Sequence, residues 1–116
     1  MNQPTDQQIA DYASNLPAVY KAVLKSFVVD PGHRRVGDAL TRESIDIGTR
    51  SHFAHYRSGD TDDAIKKLIQ RNILESVIGF TKQYRPTEIG ERLITALTGN
   101  IPIPAELPDV PKLTWA

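Results

Sequence analysis

Apolar residues recur three and four positions apart in several stretches of this chain, the spacing of one helix face. Ile9, Tyr12 and Ala13 form the first such stripe, with Thr5 placed as an N-cap and Asp6 near the positive end of the helix. Asn15 and Pro17 interrupt it. Proline suits the first turn of a second helix, where Ala18, Val19, Val23, Leu24 and Phe27 continue an apolar stripe to about Val29. Asp30-Pro31-Gly32 reads as a turn.

The stretch 33–57 has a weaker pattern. Val36, Ala39 and Leu40 suggest a short helix after His33-Arg34-Arg35, and Ile45 and Ile47 alternate with polar residues as in a short strand or extended link. Phe53 and Tyr56 fit one face of a helix over Thr49–Arg57, although Gly37 and Gly48 weaken helix formation nearby. Ser58-Gly59-Asp60 is a further turn.

From Thr61 the pattern sharpens. Ala64, Ile65, Leu68 and Ile69 share a helix face, capped by Asp60 or Thr61, and Asp62 and Asp63 stand four residues before Lys66 and Lys67. Asn72 tolerates the left-handed backbone that ends a helix. Ile73 to Ile78 is rich in β-formers, Gly79 permits a turn near Phe80-Thr81-Lys82, and Gln83-Tyr84-Arg85 returns until Pro86, which has no N–H to donate. Thr87 and Glu88 open a last helix with Ile89, Leu93, Ile94 and Leu97 inside, closed near Gly99. Beyond it Pro102, Pro104, Pro108 and Pro111 favour an extended path. Ile101, Ile103, Leu107, Val110, Leu113 and Trp115 are too apolar for a purely solvated tail, so this arm is expected to lie on its own domain or on a second subunit.

These elements predict one mainly α (α+β) domain over 1–99, followed by a Pro-rich C-terminal arm over 100–116. A chain of 116 residues, 40% apolar and 24% charged, has room for one such core. It has no Cys, which excludes thiolate catalysis and Cys-based zinc sites and fits a reducing cytoplasm. No apolar run reaches the roughly 20 residues that cross a bilayer, and MNQPTDQQ is too polar for a signal peptide, so the expected location is cytoplasmic, with no membrane contact.

Net charge is zero, but it is unevenly spread. Between Pro31 and Arg85 there are ten Lys/Arg against seven Asp/Glu, while the flanks carry four against seven. Candidate enzyme chemistry is sparse. Asp30-Pro31-Gly32-His33-Arg34-Arg35 lacks the phosphate-loop pattern, and His52 with His55 finds no evident third metal ligand. Neither catalysis nor a cofactor or metal is expected.

Gln83-Tyr84-Arg85-Pro86-Thr87-Glu88-Ile89-Gly90-Glu91-Arg92-Leu93 resembles the end of the wing in winged helix-turn-helix regulators of the MarR and PadR kind. Tyr84, Thr87 and Gly90 match, and Pro86 replaces the usual Leu. Upstream, Ala64 to Leu74 looks like the recognition helix and its exit into the wing, with Asn72 where Gly is common. The likeness covers about a third of the chain.

The resemblance implies a helical core, a two-stranded hairpin wing followed by a helix, and a non-catalytic regulator of transcription. It implies the 61–71 helix in the major groove of double-stranded DNA, with Lys66, Lys67 and Gln70 toward base edges. Lys82 and Arg85 on the wing, with Arg50 and Arg57 ahead of the turn, would touch phosphates. A homodimer through the terminal helices, including Tyr12, is expected. Asp60, Asp62 and Asp63 oppose this picture, since carboxylates at the head of a recognition helix are repelled by phosphate. The alternative is a winged-helix protein-interaction module that captures a protein through its terminal helices or Pro-rich tail.

Overall fold

A computed structural model describes residues 3–29, 32–79 and 81–104. Five helices run through them: α1 Asp6–Asn15, α2 Ala18–Lys25, α3 Arg42–His52, α4 Asp60–Gln70 and α5 Glu88–Thr98. Three strands, β1 Leu40–Thr41, β2 Leu74–Val77 and β3 Gln83–Pro86, form an antiparallel sheet in the order β1-β3-β2.

Capping chemistry sets the helix starts. Thr5 and Gln8 form a reciprocal capping box on α1, and Thr41 and Thr87 each accept the N–H of the residue three positions on. Asn72 takes the left-handed conformation, with φ of 60°, where α4 gives way to β2. Helix α2 stops at Lys25, before the apolar stripe ends. The stripe outlasts the helix because Phe27 still points into the core from the turn that follows.

The segment 33–57 departs most from its sequence pattern. Val36 to Ala39 is irregular, and Leu40–Thr41 is a strand rather than part of a short helix. Leu40 pairs with Tyr84 and Thr41 with Gln83, so the hairpin has a third strand instead of standing alone. Ile45 and Ile47 belong to α3. Ile45 is fully buried and Ile47 is 68% exposed, so their alternation reflects opposite sides of a helix rather than of a strand. Phe53 to Arg57 lies beyond the end of α3, in turns.

Helix α2 is central, packing on α3, α4 and α5, while α1 lies along α5. Val23, Leu24, Ile45, Leu68, Ile73, Leu93 and Ile94 form the heart of one core. Two glycines permit close approaches. A Cβ on Gly48 of α3 would collide with the Cβ of Ser26 below α2, and one on Gly90 of α5 would run into the Ile73 carbonyl oxygen. Thr87 strengthens that second junction by donating to the carbonyls of Asn72, at 2.7 Å, and Ile73, at 3.1 Å.

The segment after α5 returns to the body of the fold. Ile103 exchanges backbone hydrogen bonds with Arg34 and Val36, at 2.7 and 2.9 Å. Beneath that contact the Arg34 guanidinium, buried, meets the carboxylate of Glu91 and also donates to the side chain and backbone carbonyl of Asn100. The rest of the arm, with Leu107, Val110, Leu113 and Trp115, lies outside the described residues. Among the described residues no helix is long and apolar enough to cross a membrane.

Candidate nucleic-acid interface

Helix α4 buries Thr61, Ala64, Ile65 and Leu68 and turns Asp62, Asp63, Lys66, Lys67 and Gln70 to solvent. The inner face follows from apolar spacing of three and four, as the sequence indicated. Lys66, Lys67 and Gln70 thus share one exposed surface, and neither lysine is in an ion pair among the described residues.

The acids at the head of α4 are accounted for in part. Asp62 does not reach along its own helix to Lys66. Its two oxygens accept from Nε and Nη2 of Arg42, at the start of α3, at 2.8 and 2.9 Å. The Arg42 hydrogen bond, followed by its charge, holds the Asp62 carboxyl below its usual range against the opposing effect of burial. The same partner raises the Arg42 guanidinium above its ordinary value. Asp60 turns back to accept the Arg57 N–H at 2.8 Å.

The tip of the hairpin approaches this same place. Arg42, Glu43, Asp62, Thr81, Lys82 and Tyr84 line one depression of about 370 Å³, and the charge of Lys82 is felt at Asp62. The register of β1 with β3 produces this meeting, because Thr41 opposite Gln83 sets the first residue of α3 beside the turn that carries Lys82.

Behind α4, Asp46 of α3 is buried and joins the two helices. It accepts from Thr61 Oγ1 at 2.7 Å and from the Tyr56 hydroxyl, and it pairs with Arg50 at 2.8 Å. Burial would raise its pKa, but the hydrogen bonds from Tyr56 and Thr61, with the charges of Arg50 and Arg42, hold it below the ordinary value.

The seven candidates therefore separate. Lys66, Lys67 and Gln70 lie together, and Lys82 approaches the head of the same helix. Arg50 is bound to Asp46 and stacks over the Tyr56 ring at 5.1 Å, so its charge serves the α3–α4 junction. Arg85 is engaged across the hairpin by Glu75 at 2.6 Å. Arg57 is exposed and in no ion pair among the described residues. Sequence reasoning passed over Arg42 because it lay in the unreadable segment. The only signal was an Arg directly after Thr41, an N-cap residue.

No family model, curated protein or solved structure matches the chain.

Proposed function

We propose that this chain is a winged helix-turn-helix protein of the MarR and PadR kind that binds double-stranded DNA as a non-catalytic regulator. In this reading α3 and α4 are the helix-turn-helix, β2 and β3 the wing, and β1 the short strand that anchors it. One observation carries the reading. Asp62, one turn before Lys66 on the exposed side of α4 that carries Lys66, Lys67 and Gln70, lines the depression to which the hairpin brings Lys82. A helix and a cationic loop side by side match a groove and its flanking phosphates. Binding to Arg42 offsets the repulsion expected from Asp62.

The test is titration of the pure protein against random-sequence duplex at two salt concentrations. Micromolar binding that collapses with salt is expected, because the phosphate contacts release counterions. Replacing Lys66 and Lys67 together by Ala should weaken binding and flatten its logarithmic salt slope by about two, near 0.9 per lost contact. Unchanged affinity and slope in that variant would exclude α4 from the interface.

A protein-interaction role is the second reading, favoured by an apolar cleft of about 520 Å³ between α1 and α5. Ile9, Tyr12, Ile89 and Leu93 line it, and these terminal helices are also the proposed homodimer face. Truncation after Pro104 keeps the Arg34–Asn100 and Ile103 contacts. Loss of partner capture without loss of fold in that truncation would support this role.

A further inference from the structure

Arg42 and Asp62 come from different helices, yet they present one planar set of hydrogen-bonding atoms. Asp62 occupies one edge of the guanidinium, formed by Nε and Nη2. The end formed by Nη1 and Nη2 keeps its outward N–H groups, since no described residue accepts from Nη1. Each carboxylate oxygen also keeps a lone pair. The side chains are 35% and 57% exposed, so neither set is covered.

This arrangement is an acceptor beside a two-pronged donor. In the major groove a C·G pair offers the converse: the cytosine N4 donor beside the O6 and N7 acceptors of guanine. A T·A pair instead sets the adenine N6 donor against one prong and the thymine O4 acceptor against the carboxylate, leaving only adenine N7 to accept from Arg42. We infer that Arg42 and Asp62 together read one C·G base pair, with Arg42 donating to guanine and Asp62 accepting from cytosine. This rests on the DNA-binding reading above and deepens it.

The surrounding charges support the placement. Lys82 lies on the same depression and offsets the negative charge of Asp62, while Glu43, exposed on its rim, opposes phosphate and favours a base edge there. The pairing also explains how a carboxylate in the first turn of α4 can face DNA. An isolated Asp would repel the backbone, whereas one already bonded to a guanidinium carries little net charge into the groove.

The experiment is selection from a randomised duplex pool with the wild-type chain, then affinities for the selected site and each of its single base-pair substitutions. Arg42→Ala, Asp62→Ala and Asp62→Asn are compared on the same set at one salt concentration. The isosteric Asp62→Asn guards against a folding failure, checked by circular dichroism. The wild type should prefer C·G to T·A at one position by about tenfold or more. Arg42→Ala and both Asp62 variants should lose most of that preference. The Asp62 variants should bind random duplex at least as well as wild type, since they remove a negative charge. Variants that keep the C·G preference would overturn the inference while leaving DNA binding intact. A folded wild-type chain that binds no duplex at low salt would remove the DNA-binding reading itself, and the inference with it.

Discussion

Thr61, fully buried in the first turn of α4, donates its hydroxyl proton to the buried carboxylate of Asp46 on α3, with 2.7 Å between the oxygens. This contact ties α4 to α3. Tyr56, in the connection, donates to the same carboxylate oxygen. Replacing Asp46 by Ala should strand both hydroxyls and lower stability by about 2–3 kcal/mol in urea denaturation, at roughly 1 kcal/mol or more for each unmade bond. A loss below about 0.5 kcal/mol would show that the junction is held by apolar packing alone.

The same carboxylate has a pH signature. Its folded pKa is depressed, so its stabilising contribution is complete above the ordinary value of 3.8 and fades as pH falls through the lower folded value. Asp46→Asn does not titrate. The stability gap between wild type and Asp46→Asn, measured by thermal melting from pH 7 to pH 2, should therefore narrow only below about pH 4. A constant gap across that range would contradict the assignment.

Arg34 and Glu91 form a buried pair, with Gly37 N–H and Asn100 also bound to it. Glu91→Ala leaves the guanidinium buried without its carboxylate and should cost about 3–5 kcal/mol. Arg34→Met combined with Glu91→Leu should cost much less than the two single changes added, because no charge is then stranded. Additive costs in that double-mutant cycle would argue against direct coupling.

Gly90 should not accept a side chain. Alanine there would drive a methyl group into the Ile73 carbonyl and within 3.1 Å of Pro86 Cβ. Relief requires α5 to move off the α4–β2 junction, an overpacking cost of about 3 kcal/mol. In a domain of this size that corresponds to a melting temperature lower by about 10 °C or more. A melting temperature within about 3 °C of wild type would show that α5 shifts freely.

The two hairpin cations should differ. Arg85 is already paired with Glu75, whereas Lys82 stands exposed near the head of α4. Lys82→Ala should flatten the logarithmic salt slope of duplex binding by about 0.9, and Arg85→Ala by much less. Equal effects would mean that the Glu75–Arg85 pair opens on DNA.

Much of this fold was legible in local chemistry. Thr5 and Thr87 cap helices because a hydroxyl satisfies an orphan N–H wherever the chain turns into a helix, whereas Thr41, which does the same for α3, lay in a stretch with no clear helical pattern. The apolar spacing of α4 and α5 marked their inner faces, and Asn72 marked the left-handed end of α4. The candidate interface was legible only in its helical part, where Lys66, Lys67 and Gln70 follow from the periodicity.

By itself, then, the sequence determined the terminal helices, α4, the hairpin and the exposed cations, since each depends on residues a few positions apart. The tertiary structure alone decided the rest. It made Ile45 and Ile47 two sides of a helix, added β1 as a third strand, paired Arg85 with Glu75, and set Arg42 against Asp62. Those outcomes depend on partners ten or more residues away: Arg85 meets Glu75 with |i−j| of 10, and Arg42 meets Asp62 with |i−j| of 20. Long-range pairing overrides local preference because burial and charge act through space, while helical and strand periodicity act only along the chain.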